Sequence, residues 1–446
     1  MDERNESSQN RGEPRVSSSL PSYVTATVIL SAAWAVLYGS WNGNSGEVNF
    51  GEVRYPNGWE AWGTINDTRR VVVIGDVHGD FPNLFETLRV MDLITIATQR
   101  THFQQGWVSE FVGTGDDKDS EDSLYSNLVP HIKWTGRNTV FVQVGDWTDR
   151  GPHVHAISLL IRHIQRECLN CRFLLGNHET MNLVGDLRYV SKEEIAGWGN
   201  KEVRRKEWED GARGSVGWWV RRNNPLAVQV GDLVVVHAGI TPEFSQRGLL
   251  RLNADFLAVL KPYPLNNITE SLKPLARHEV LSHPIFAGEG PQWSRLYARP
   301  QNFLPSDPSD TACAPLMTAL SHFGATMQVI GHTPQFQRRA RSRCGGRVIL
   351  GDIGISRAYG GGGRIGAVEI ELSNPQASED IFSSIDSCGG PGTVKDPQVC
   401  PGYFQMWPKA RVRRVRGVYG HYAEGSTDII VEGESLVKNA GFAPHL

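Results

Sequence analysis

The amino-acid sequence predicts an α/β protein whose ligand site lies where its strands end. Two patterns carry that prediction. Short apolar, β-branched runs recur after residue 70, and each stops at a glycine or histidine beside an acid, an amide or a second small residue. Helical stretches separate the runs, the alternation that builds layered α/β sheets with ligands at the carboxyl edge. At 446 residues the chain is about three ordinary domains long and can bury one large core or two smaller ones. Charged residues are 21% and apolar residues 40%, too apolar for a disordered chain and too polar for a multispanning membrane protein. Net charge is only −3, so no nucleic-acid partner is expected, and phosphate chemistry would have to use local charges.

The elements follow in chain order. Val71 to Ile74 reads as a buried strand ending in Gly75-Asp76-Val77-His78-Gly79, where the glycines let the backbone turn tightly beside a carboxylate and an imidazole. Val140 to Val144 ends in Gly145-Asp146-Trp147-Thr148-Asp149-Arg150-Gly151, which adds two carboxylates and a guanidinium. Phe173 to Leu175 ends in Gly176-Asn177-His178-Glu179, Leu233 to Val236 in His237-Ala238-Gly239, and Met327 to Ile330 in Gly331-His332. Any one of these has a plain explanation as a helix cap or a hydrogen-bonded core histidine. Together they load one edge with polar groups, each costing several kcal/mol when buried unless something binds it. Metal ions meet that cost. Oxygen and nitrogen donors without cysteine suit Mn, Fe or Zn, and a carboxylate shared by two ions gives a dinuclear site.

The order GDVHG, GDWTDRG, GNHE, HAG and GH resembles the phosphoprotein phosphatase family of calcineurin-like metallophosphoesterases, from Val71 to about Gly360. Gly176-Asn-His-Glu-Thr-Met-Asn182, Gly185-Asp-Leu-Arg-Tyr-Val190, Gly290-Pro-Gln-Trp-Ser-Arg295 and Gly351-Asp-Ile-Gly-Ile-Ser-Arg357 are similar to its Shewanella-like phosphatase branch. The chain departs from the Ser/Thr branch at Leu175, where that branch carries Arg, and it lacks that branch's SAPNYC string. The resemblance implies a central β-sandwich flanked by helices, with a dinuclear metal site at the carboxyl ends of the strands. It implies that Asp76 and His78 hold the first of two divalent or trivalent ions, manganese foremost with iron or zinc as alternatives. Asp146 would bridge, and Asn177, His237 and His332 would complete the second sphere. It further implies hydrolysis of phosphate monoesters by a metal-bridging hydroxide, with His178 as general acid, Asp149 orienting it, and Arg150 and Arg295 binding phosphate. The expected substrate is a phosphorylated protein, on Tyr or Ser/Thr, or a small phosphoester. A dinucleoside polyphosphate or nucleotide phosphohydrolase is the alternative enzyme, and a non-catalytic phosphate-binding pseudophosphatase the alternative of another kind. The intact set of ligand candidates and His178 argue against the latter.

Outside that region, residues 1–21 read as a disordered polar arm, and 22–41 as a signal anchor or transmembrane helix. Val16 to Gly46 carries no formal charge, and the apolar heart of this stretch matches the roughly 20 residues that cross a bilayer. Arg15 precedes it and no basic residue follows until Arg54, which orients the main domain away from the cytosol. The expected location is therefore membrane-anchored or in a secretory lumen, with a buried helix of a cytoplasmic domain or a cleaved signal as rivals. Residues 42–69 read as a linker, 70–375 as the catalytic domain and 376–446 as an extension with a Gly/Pro-rich loop. The acids between Asp116 and Asp122 read as a solvated loop. Of six cysteines, Cys388 and Cys400 are the expected disulfide, while Cys168 and Cys171 read equally well as two buried thiols. No pattern specifies an oligomeric state.

Overall fold

The computed structural model describes residues 70–97, 121–209, 214–260, 276–299, 309–335, 337–372 and 415–432. Thirteen strands lie among them: β1 (Arg70–Ile74), β2 (Ile94–Ile96), β3 (Ile132–Trp134), β4 (Thr139–Gln143), β5 (Cys171–Phe173), β6 (Ala227–Val230), β7 (Leu233–Val236), β8 (Met327–Ile330), β9 (Arg341–Arg343), β10 (Val348–Leu350), β11 (Gly366–Leu372), β12 (Val415–Tyr422) and β13 (Thr427–Glu432). One sheet runs β13-β12-β11-β1-β4-β5, a second β6-β7-β8-β10-β9, and β2 and β3 form a hairpin of their own. Pairing is parallel from β1 through β4 to β5 and from β7 through β8 to β10, with antiparallel strands outside.

The parallel strands are buried on both faces, which is why they read as unbroken apolar runs rather than alternating ones; Val71, Val72, Val140 and Val235 are fully covered. Apolar residues of both sheets join one core. The polar end of β4 is answered locally. Gln143 donates to the carbonyls of Gly75 and Gly145 and accepts from Gly145 N, tying the ends of β1 and β4 together. The helix Phe81–Val90 starts under a cap from Asp80, whose carboxylate accepts from Asn83 N at 3.2 Å. The helix Val154–Glu167 buries Val154, Ile157, Leu160, Ile161 and Ile164, an apolar stripe at helical spacing.

Several expectations change. β5 spans Cys171–Phe173, not Phe173–Leu175; Leu174 N–H still bonds Gln143 O at the end of β4, and Leu175 N–H turns away to Pro225 O. The acids Glu121 and Asp122 open a helix, Glu121–Leu128, instead of lying in a solvated loop. Asp122 is buried because it accepts from Ala156 N at 3.0 Å, covering the start of the next helix. Residues 415–432, within the expected C-terminal extension, supply β12, which pairs along the edge of β11, and β13, which pairs with β12. Cys168 and Cys171 are joined in a disulfide rather than left as thiols, and Cys313 and Cys344 form another. The expected pair Cys388 and Cys400 lies outside the described residues, as do residues 1–41. No helix among the described residues is long and apolar enough to cross a membrane.

Candidate active site

The strand-end residues read as ligands and acid–base groups arrive at one edge. β1 delivers Asp76 and His78, and β4 delivers Asp146, Asp149 and Arg150. β5 runs into the helix Asn177–Leu183, which begins with Asn177 and His178, while β7 and β8 end at His237 and His332. The strand ends approach so closely that glycine is required. A Cβ on Gly176 would sit 2.2 Å from Asp146 Oδ1. Among the described residues, the non-glycine positions with positive φ include His78, Asp146, Asp149, Arg150 and His332. Such backbone costs energy, about 1–3 kcal/mol apiece, and persists where its surroundings over-determine it.

Asp146 is the hub. Its Oδ2 lies 3.3 Å from His237 Nε2 and 3.8 Å from both His78 Nε2 and His178 Nε2. Asn177 Oδ1 faces His237 Nε2 at 3.0 Å, and Asp76 Oδ2 is 3.9 Å from His78 Nε2. The opposite nitrogens of two rings are held by backbone: His78 Nδ1 to Thr148 O at 3.0 Å and His237 Nδ1 to Val144 O at 3.1 Å. A carbonyl only accepts, so each Nδ1 carries the hydrogen and each Nε2 turns its lone pair toward the space beside the hub, where a cation would accept it. His332 is anchored through its backbone, its N–H donating to Asp76 Oδ1 at 3.0 Å.

Two groups of donor atoms converge within 4.8 Å, His78 with Asp146 and His178, and Asp146 with His237 and His332, so Asp146 belongs to both. Asp76 Oδ2, Asn177 Nδ2 and His332 Nε2 are buried without a hydrogen-bond partner. The crowding of carboxylates agrees. Burial first, then Asp352 and Asp146, pushes the Asp76 carboxyl well above its ordinary range. The unanswered lone pairs of Asp76 and His332 and the mutually repelling carboxylates, all oxygen and nitrogen, fit bound cations.

The histidines divide. Burial, and then neighbouring His178, holds His78 well below the ordinary imidazole range; burial and then His237 do the same for His332. His178 goes the other way. Its burial would lower it, but Asp146 and Asp149 outweigh that and raise it. His178 Nδ1 meets Asp149 Oδ2 at 2.6 Å, a carboxylate partner where His78 and His237 have carbonyls.

Arg150 lies between two rings, 5.2 Å from the centroids of both Tyr189 and Tyr359, with its guanidinium 3.4 Å from His178 Nε2. Arg295 donates to Thr333 Oγ1 at 2.8 Å and lines the same pocket, together with Trp293. Two acids escaped the sequence reading of the site. Glu179 accepts from the backbone N–H groups of Asp146, Trp147, Thr148 and Gly176, so its carboxylate pins the hub loop to the end of β5. Asp352 is fully buried, with Oδ1 accepting from Gly354 N and Oδ2 unanswered. Both stand in quoted motifs, GNHE and GDIGISR, and the acidic residue within each was the available signal.

Residues 69–336 match the model of the calcineurin-like phosphoesterase family. The chain belongs to that family. It is 28% identical over 304 residues to an uncharacterised protein of Schizosaccharomyces pombe, covering 65% of this chain and 74% of that one. It is 26% identical over 380 residues to Shewanella-like protein phosphatase 2 of Arabidopsis thaliana, covering 73% of this chain and 83% of that one, in keeping with the branch its motifs resemble. The solved cold-active protein-tyrosine phosphatase of a psychrophilic Shewanella species superposes with a TM-score of 0.50 at 20% identity, over 81% of this chain and 80% of that one. That likeness bears out the calcineurin-like fold. Membership of this family implies divalent metal ions, which the His and Asp groups around Asp146 are suited to hold.

Proposed function

We propose that the chain hydrolyses phosphate monoesters on proteins, phosphotyrosine foremost, with two metal ions held by Asp76, His78, Asp146, Asn177, His237 and His332. The observation that carries this is the membership of Asp146 in both converging donor groups, beside one histidine whose Nδ1 is held by a carboxylate. Manganese is the first choice for such a donor set, with iron and zinc next. Bound there, the ions would activate water toward phosphorus and offset charge gathering on the phosphoryl oxygens.

The chain's own groups divide the remaining work. His178 carries a proton on Nε2 and passes it to the leaving oxygen as the bond from phosphorus to that oxygen breaks. Asp149 fixes the ring through Nδ1 and favours the charged form. Cations on Asp146 would cancel its share of that effect, leaving Asp149 as the main support. Arg150, braced by Tyr189 and Tyr359, offers a planar fork to phosphate oxygens, and Arg295 a second donor. Tyr189, Trp293 and Tyr359 line the pocket with aromatic faces, which favour an aryl ester over an alkyl one. The names of the Arabidopsis and Shewanella proteins support the same reading.

The test is a panel on the manganese-loaded protein. A phosphotyrosine peptide should show higher kcat/KM than the matching phosphoserine peptide, and diadenosine polyphosphate should be poor. Preference for the dinucleotide, or metal binding without turnover of any ester, would overturn the proposal. The anchor at residues 22–41 and a lumenal catalytic domain belong to the same proposal. The two disulfides support an oxidising compartment. Release of the full-length protein by alkaline carbonate would count against the anchor.

A further inference from the structure

Behind the acid pair runs a chain of buried polar groups. Asp149 turns Oδ2 to His178, while its Oδ1 accepts from Asn182 Nδ2 at 2.8 Å. Asn182 lies one helical turn beyond His178, and its Nδ2 also donates to His178 O at 2.8 Å. Both amide hydrogens are thereby used, which fixes the amide orientation and leaves Oδ1 to accept from Arg204 Nη2. Arg204 donates from Nε to Glu194 Oε1 at 2.8 Å, and its Nη2 lies 3.9 Å from Asp149 Oδ1. Its guanidinium sits over Trp208 at 5.6 Å, and Trp208 packs on Trp147, the neighbour of Asp146. Asp149, Asn182 and Arg204 are 0% exposed and Glu194 is 1%.

Stability alone explains this arrangement poorly. A buried ion pair is commonly replaced by apolar residues of similar volume at no loss, because desolvation consumes the Coulombic gain. Here the guanidinium, paired with Glu194, also donates to an amide whose two hydrogens grip the Asp149 carboxylate and the His178 carbonyl. We propose that Asn182 and Arg204, backed by Glu194, are positioning residues that aim the Asp149 carboxylate at His178. The inference rests on the phosphatase reading above. In the reaction it supports, a water-derived oxygen forms a bond to phosphorus and the bond to the leaving oxygen breaks. The proton moves from His178 Nε2 to that leaving oxygen. Displacement of Asp149 would leave His178 turned or held in the wrong tautomer, and only that proton transfer would suffer. Leaving groups of high pKa depend on it; those of low pKa barely do.

The experiment uses the full chain loaded with manganese and compares Asn182→Ala and the double variant Glu194→Met/Arg204→Met with the unaltered protein. Asn182→Ala leaves the Arg204 and Glu194 pair intact, and the double variant keeps volume while removing both charges. Each is measured on an alkyl phosphate and on p-nitrophenyl phosphate, with metal content in parallel. Loss of kcat on the alkyl ester should be about 10- to 100-fold. On the nitrophenyl ester it should be under about threefold, with KM and metal content unchanged. Equal loss on both esters, or no loss on either, would overturn the positioning role while leaving the phosphatase reading intact. An unaltered protein that hydrolyses neither ester would instead overturn that reading and the inference with it.

Discussion

Around the side of Asp146 that faces His237 and His332, His332 Nε2 and Asp76 Oδ2 end without hydrogen-bond partners. On the side that faces His178, a bonded chain of carboxylate, amide and guanidinium runs inward to Glu194. The rings differ accordingly. His78 and His237 bond backbone carbonyls through Nδ1 and keep a free lone pair on Nε2, whereas His178 meets a carboxylate and is held above its ordinary pKa. On the proposed reading, the same residue type serves as a ligand or as an acid according to what holds its far nitrogen. One side would be finished by ions, the other is finished by the protein itself.

Four variants would break or sharpen that contrast. Asp146→Asn should have the largest effect, because a neutral amide cannot offset two cations at close range. Turnover should vanish and metal content fall, measured by assay and elemental analysis. His178→Asn should follow, losing about 10²–10⁴ in kcat on alkyl phosphates and less on p-nitrophenyl phosphate.

Asp149→Asn acts on the pH profile. The Asp149 carboxylate favours the protonated form of His178, so turnover of alkyl esters should persist through the ordinary imidazole range near about 6.5. It should fall only as pH rises through the higher folded-state value. Removal of the Asp149 charge lowers that value, so the alkaline limb should move to lower pH. The smallest effect on chemistry but a clear one on stability belongs to Arg204→Met alone. Glu194 loses its buried cation, which should cost about 3–5 kcal/mol in urea unfolding, most of it recovered in the double variant with Glu194→Met.

The ligand edge was legible because it is local. Unbroken apolar runs such as Val71 to Ile74 mark strands buried on both faces, and the polar residue after each glycine must then lie at a strand end. The same local logic reached His178 and Asp149. It could not reach Arg204, which sits in Lys201–Trp208, a helix whose charged residues look alike in sequence. Only packing against Trp208 and Glu194 separates Arg204 from its neighbours, half-buried Arg205 and exposed Lys206. Nor could it place β12, whose partner β11 lies more than forty residues upstream, or β13, which pairs with β12 in turn, because that pairing is set by tertiary contact. Asp122 failed for a third reason, since acids in a polar run are ordinarily solvated and this one covers the start of another helix.

The division of the histidines is tested most directly by metal content of His332→Asn and His178→Asn, prepared side by side with excess manganese and desalted. The account predicts that His332→Asn loses about one ion per chain while His178→Asn retains the full complement. Loss of an ion from His178→Asn, with His332→Asn fully loaded, would contradict it.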